Sequence, residues 1–345
     1  MANIDCNSEI TGFHRTEVTL SQTQQVEMRE RRDNGRIRLE NGLDIHDFPP
    51  PTLVFSQGSY QMRTMVQDVD YDYDIDDGTY FKQEDLVDEN GNDLTPRAAR
   101  ERVCDALTWD GRLKHEAEIK LNCVRQKYPQ GYHIDLPVYR IVTTVNDKNE
   151  KIEHCEHASE DEWILSDARA VTRWYNNIVG ELNSGESDGS QMRRVTKLTK
   201  KLARSRKNWK DQTTSGICIT KLVTDHYVCV NDRDDQALRE TWMGIKKSLD
   251  QSTEIEHPVL DTKLAESGDA KVEFSRDCLS DALDKLEILD DVNCDRKQAR
   301  AAWDDVFNTT YFSDLPDEDP GKKSSPVVVT SNETARRNDG GGRFG

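Results

Sequence analysis

Four aspartates are interleaved with strand-type residues in one short run: Asp70, Asp72, Asp74 and Asp76 alternate with Val69, Tyr71, Tyr73 and Ile75. In an extended strand successive side chains point to opposite faces, so the four carboxylates share one face and the apolar residues fill the other. Like charges spaced this way repel one another and need a compensating cation or solvent. Hard divalent ions such as Mg²⁺ take oxygen ligands of this kind, with phosphates completing the shell. The spacing alone fits an exposed acidic edge strand equally well, because charge protects sheet edges. A calcium loop counted from Asp72 fails, since its sixth position needs glycine and its twelfth glutamate, where the chain has Asp77 and Gln83.

Three other segments carry residues suited to phosphate or metal chemistry. Gln57-Gly58-Ser59 follows the apolar run TLVF, where a glycine turn lets backbone N–H groups and a hydroxyl approach a phosphate. Tyr132-His133-Ile134-Asp135-Leu136-Pro137 places a single carboxylate inside a strand-like run, able to join a metal cluster if the strands are neighbours. Between Arg193 and Lys210, nine of eighteen residues are Lys or Arg and none is acidic. Arg193, Arg194, Lys197, Lys200, Lys201 and Arg204 read as a solvated stripe, with Val195, Leu198, Leu202 and Trp209 marking another face. His154-Cys155-Glu156-His157 suggests zinc at first sight, but no second Cys or His pair stands at ligand spacing, so a surface turn is expected.

The elements that must position these groups are legible in outline. LSQTQQVEMRERRDNGRIRLENGL, from about Leu20 to Leu43, is polar and helix-prone, with Gly35 its weakest point, and reads as one long exposed helix ended by HDFPPP. Strands are expected in TLVFSQGSYQM, VDYDYDIDDGTYF, EIKLNCVRQKY and YHIDLPVYRIVTTV, with a helix capped by Thr95-Pro96 between them. Beyond Lys148 helices are expected from Asp167, Ser190, Ile217, Asp234 and Ser275, and the last buries Cys278, Leu279, Ala282, Leu283, Leu286 and Leu289. The expected organisation is 1–160, 161–315 and a disordered tail over 316–345, rich in Gly, Ser, Asn and charge. At 345 residues and a formal charge of −18, the chain has length for a sizeable core and no general attraction for nucleic acid or anionic membranes. Eight scattered cysteines without a CxxC pair suggest reduced thiols, and the lack of a long apolar run or leader-like N-terminus suggests a cytoplasmic protein.

Taken in order, Gly58-Ser59, Asp74-Ile75-Asp76-Asp77-Gly78 and Asp135 resemble the GS, DxD and third-Asp pattern of polymerase-beta-like nucleotidyltransferases. The wording QGSY…DYDIDDGTYF…HIDLPVYRI resembles the bacterial cGAS/DncV-like group, or CD-NTases, and the likeness in character continues through Asp167 and Trp174. The resemblance implies an α+β fold: a catalytic lobe with a twisted mixed sheet and spine helix, and a helical lobe closing over a nucleotide cleft. It implies two Mg²⁺ ions (Mn²⁺ as an alternative) held by Asp74, Asp76 and Asp135. Asp135 would also help deprotonate a ribose hydroxyl. Gln57, Gly58, Ser59, Arg125, Lys207 and Ser215 would contact nucleotide. The implied activity is synthesis of a cyclic dinucleotide, first of all cyclic GMP-AMP from ATP and GTP, in CBASS anti-phage defence. Transfer to another acceptor, or a non-catalytic acidic interaction protein, are the alternatives. The resemblance further implies an E1/E2-like partner that conjugates the chain through Gly345, where glycine suits a narrow active site.

Overall fold

A computed structural model describes residues 4–68, 73–111, 115–129, 131–182 and 191–316. Asp70 and Asp72, and the tail with Gly345, lie outside the described residues. The chain opens with helix α1 (Asn7–Phe13) and the long helix α2 (Gln22–Ile45). At the start of α2 the Ser21 hydroxyl accepts from Gln24 N–H and the Gln24 side chain accepts from Ser21 N–H, satisfying two otherwise orphaned donors. α2 passes Gly35 without a break and buries only Met28, Leu39, Gly42 and Leu43, as a polar surface helix should. Strand β1 (Leu53–Gln57), the short turn α3 (Gly58–Gln61) and strand β2 (Asp74–Lys82) follow. Helix α4 (Pro96–Thr108) is capped by Thr95 with Pro96 in its first turn. It packs on α2 so closely that a Cβ on Gly42 would sit 1.8 Å from the Ala106 carbonyl oxygen.

β3 (Glu118–Ile119), β4 (Val124–Lys127), β5 (His133–Leu136), β6 (Val138–Val145), β7 (Lys151–Ser159) and β8 (Glu162–Leu165) complete a mixed eight-stranded sheet. β2 pairs antiparallel with β1 and parallel with both β5 and β6, which Pro137 separates because it has no N–H to give the ladder. The expected turn at His154–His157 is instead the middle of β7, with His157 opposite Tyr139 and Cys155 opposite Ile141. Its polar residues hid it, since β7 exposes much of one face while Cys155 and Ala158 are buried.

Helices α5 (Ala168–Leu182), α6 (Gln191–Ala203), α7 (Gly216–His226) and α8 (Asp234–Leu249) lead to a small hairpin, β9 (Ile255–Glu256) and β10 (Lys263–Ala265). α9 (Ala270–Leu286) and α10 (Arg296–Phe307) end the helical half. α9 begins earlier than Ser275, at an Asp269 cap. α10 escaped the sequence reading although Asp295 and Gln298 form a capping box before its buried Trp303, Val306 and Phe307. The sheet extends past residue 160 to Leu165, while Cys6, Ile10 and Phe13 near the N-terminus pack into the core of the helical half. No helix among the described residues is long and apolar enough to cross a membrane, and all eight cysteines are free.

α2 is tied to the centre of the sheet by an ion pair whose carboxylate is buried. Arg36 Nε donates to Asp77 Oδ2 at 2.7 Å, its other nitrogen reaches Oδ1, and the Ser56 hydroxyl adds a bond at 2.8 Å. Asp77 is 1% exposed, so removing its cation strands a buried charge. Arg36→Ala should destabilise the fold by about 3 kcal/mol in urea unfolding, and adding Asp77→Asn should recover part of that loss. A shift below about 1 kcal/mol would mean that the pair is not what docks the helix.

Candidate active site

The register between β2 and β5 builds the site. Asp74 stands opposite His133 and Asp76 opposite Asp135, and the two-residue period of each strand turns all four side chains to the same face. Ile75 and Asp77, the intervening residues, point the other way, into the core and toward α2. His133 Nε2 lies 3.8 Å from Asp74 Oδ2 and 3.8 Å from Asp135 Oδ2. One ligand atom each from Asp74, His133 and Asp135 falls within 4.8 Å of the others, a donor set that fits a divalent cation.

Asp76 is turned toward the Gly58-Ser59 turn. A Cβ on Gly58 would lie 2.1 Å from Asp76 Oδ2, and Gly58 has a φ of +61°. Close approach and left-handed backbone therefore both demand glycine here. Asp74 and Asp76 keep an edge open to the cleft, yet surrounding protein removes most of their water. That desolvation, joined by repulsion from Asp135, raises the Asp74 pKa. The same desolvation, with repulsion from Asp74 and then Asp135, pushes Asp76 well above the ordinary carboxylate range. Uncompensated negative charge is what a bound cation would neutralise.

A cleft of about 690 Å³ opens over this grid. Gly58, Ser59, Asp74 and Asp76 border it on the sheet side, and Lys200, Arg204, Lys210 and Ser215 on the helical side. Lys200 is only 8% exposed, donates to the Thr64 hydroxyl at 3.0 Å, and has its pKa lowered to about 7 by burial and then by Arg204. Its tip reaches the start of α7, where a Cβ on Gly216 would be 3.8 Å from Lys200 Cε and 4.0 Å from Nζ. Ser215 caps α7 there, accepting from Cys218 N–H. A second void, about 30 Å³ between α6, α7 and α9, has an almost wholly apolar lining and offers no comparable chemistry.

The family of nucleotidyltransferase domains described as cyclic GMP-AMP synthase DncV-like matches residues 52–139, which span β1, Gly58-Ser59, β2 and β5. Over those residues the chain is similar to a DncV-like nucleotidyltransferase domain. Its fold is also that of solved structures at low identity. Escherichia coli DncV in a 3'-deoxy GTP bound form is 17% identical with a TM-score of 0.64, covering 89% of this chain and 97% of that one. Vibrio cholerae DncV in complex with the linear intermediate 5' pppA(3',5')pG is 14% identical with a TM-score of 0.68, covering 89% and 96%. The Bradyrhizobium diazoefficiens CD-NTase CdnG in complex with GTP is 13% identical with a TM-score of 0.65, covering 90% and 97%.

The residues expected at the nucleotidyltransferase site divide into three groups. Asp74, Asp76, Asp135, Gly58 and Ser59 lie together at the β2–β5 end of the sheet, and Ser215 faces Asp74, Asp76, Gly58 and Ser59 from across the cleft. Gln57 and Arg125 are close by but engaged. The Gln57 amide donates to Tyr139 at 2.8 Å and accepts from Tyr80 at 2.9 Å, bracing two stacked rings. Arg125 donates twice to Asp135, at 2.8 and 2.7 Å, so it orients that carboxylate instead of standing ready for a nucleotide. Lys207 is exposed in a short helical turn after α6 and does not border the cleft; Lys200 holds that place. The sequence reading put Lys200 on a solvated stripe. Its neighbours one turn away include Lys197 and Arg204 as well as Thr196 and Ala203, so no local signal singles it out as the buried lysine.

An Asp whose folded pKa is raised binds its proton more tightly folded than unfolded, so stability falls as pH rises through the window above the unfolded value. Asp76→Asn removes that penalty. In chelator-treated protein the variant should be as stable as the wild type near pH 4 and more stable at pH 7, as read from urea midpoints. A variant less stable at pH 7 would show that its carboxylate is already compensated. Gly58→Ala should fold but lose activity on nucleotides by at least about a hundredfold, since the new methyl displaces Asp76 from reacting geometry.

Proposed function

We propose that this chain is a nucleotidyltransferase that joins ATP and GTP into cyclic GMP-AMP, a second messenger in anti-phage signalling. The observation that carries the reading is the facing of two chemistries across one cavity: the β2 carboxylates Asp74 and Asp76 on one wall, Lys200 and Ser215 on the other. The cavity suits a nucleotide-sized ligand, and the E. coli and V. cholerae DncV structures hold a 3'-deoxy GTP and a linear pppApG respectively.

Asp74, Asp76 and Asp135 would hold Mg²⁺, which when bound lowers the cost of charge on the attacking and departing oxygens. The chain's own groups do the rest. Ser59 and Ser215 offer hydroxyls to phosphate oxygens, and Lys200 supplies positive charge from the opposite wall. Asp135, held in orientation by Arg125, takes the proton of the attacking ribose hydroxyl. In each transfer the ribose oxygen bonds to an α-phosphorus, the bond from that phosphorus to the bridging oxygen breaks, and pyrophosphate leaves. A first transfer gives a linear dinucleotide triphosphate and a second closes the ring.

Incubating the purified chain with Mg²⁺ and labelled ATP, GTP, CTP and UTP should give a phosphatase-resistant product with the mass of cyclic GMP-AMP. A resistant product of other bases would overturn the product assignment, and none at all would overturn the synthase reading. Lys200→Ala should weaken triphosphate affinity by about 1.5–3 kcal/mol, the usual worth of a hydrogen bond to a charged group. An equal loss in Lys207→Ala with none in Lys200→Ala would reverse the assignment of the cleft lysine.

A further inference from the structure

We propose that His133 is a metal ligand of this site, and that its imidazole tunes the site toward Mn²⁺ and away from Mg²⁺. Three observations carry this. β5 places His133 opposite Asp74 and on the same face as Asp135, so the ring is built into the grid by register. The residue is 5% exposed, yet the polar neighbours of its ring are the two carboxylate oxygens at 3.8 Å. A buried imidazole ordinarily takes a hydrogen bond at about 2.7–3.2 Å, and Nε2 of this one stands off from both carboxylates at the same 3.8 Å. Finally, among the described residues Asp74, His133 and Asp135 bring one ligand atom each within 4.8 Å of the others, while Asp76 is turned toward Gly58.

Arg125 does not block the arrangement. It occupies one lone-pair direction on each Asp135 oxygen, and an ionised carboxylate has about four such sites. Two carboxylates and one imidazole form a mixed oxygen and nitrogen donor set. Mg²⁺ keeps to oxygen and sheds water reluctantly, whereas first-row divalent ions accept imidazole readily. Mn²⁺ is the ion of that series that remains at home with carboxylates and phosphates. The alternative role for His133, a cation that merely balances Asp74 and Asp135, predicts no bond between nitrogen and metal.

The inference rests on the metal dependence of the proposed function but is tested without turnover. Mn²⁺ is titrated into the full chain in the absence of nucleotide and followed by electron paramagnetic resonance, with pulsed detection of ¹⁴N coupling. Wild type should bind Mn²⁺ with the nitrogen coupling of a directly bound imidazole. His133→Gln, shown to be folded by circular dichroism, should lose that coupling, weaken Mn²⁺ by about tenfold or more, and lose most of the preference for Mn²⁺ in competition with Mg²⁺. His133→Asp should regain binding of both ions without nitrogen coupling. Wild-type Mn²⁺ with no ¹⁴N coupling, or coupling that persists in His133→Gln, would overturn the proposal. A protein that shows the coupling but forms no cyclic product would sink the synthase reading alone.

Discussion

Negative charge concentrated on one strand face is the constraint around which this molecule is arranged. Parallel pairing of β2 with β5 brings Asp74, Asp76 and Asp135 onto the same few ångströms of sheet, where burial and repulsion from neighbouring carboxylates oppose the ionised forms of Asp74 and Asp76. Such a cluster persists only if surrounding structure over-determines it. The surroundings do so from several sides. Arg125 fixes Asp135 from β4, Gly58 yields space to Asp76 from the turn after β1, and Arg36 neutralises Asp77 on the far side of the same strand. The site thus resides mainly on strands, which hold geometry more closely than loops.

Those supports explain why neighbouring residues of similar appearance have different work. Asp76 and Asp77 are adjacent, but the pleat sends one into the cleft and the other to α2. Gln57 and Ser59 flank Gly58, but the Gln57 amide is consumed by Tyr80 and Tyr139 while Ser59 borders the cleft. A substitution at Asp77 therefore tests docking of α2, and one at Asp76 tests the chemistry proposed for the cleft. Reading both as one acidic motif would confuse stability with catalysis.

Much of this was legible in the sequence because it obeys local periods. The alternation through Ile75, the Thr95-Pro96 cap, and the single Asp in HIDLP each imply a strand, a helix start or a face with no knowledge of partners. What stayed hidden depends on contacts between distant segments. Nothing near His133 announces that it will stand opposite Asp74, nor that Arg125 will clasp Asp135 ten residues on, because strand register decides both. β7 was missed for a related reason: KIEHCEHAS is polar on the side that faces solvent, and its pairing with β6 and β8 is what makes it a strand. The lysine of the cleft was mistaken because a basic helix in isolation gives no clue to which side chain the tertiary fold will bury.

The same basic segment shows how an acidic protein can still receive a polyanion. Its cations are mostly spent on the protein itself. Arg194 pairs with Asp234, Arg193 donates to the Met62 carbonyl and to Asn176, and Arg206 donates to the carbonyls of Asp305 and Val306 while stacking on Trp209. These bonds tie α6 and its following turn to the rest of the fold, so the segment is a girder more than an open basic patch. Lys200, by contrast, is directed into the cleft and held through a neutral partner, Thr64, leaving its charge available to a phosphate. A buried ammonium whose pKa has fallen to about 7 gains on meeting a polyanion, because the ligand restores the charge that burial disfavours. The attraction is therefore short-ranged and confined to the cavity. A net charge of −18 screens the outer surface against extended polyanions without weakening that local grip, since potentials from distant exposed charges decay within about 10 Å in salt.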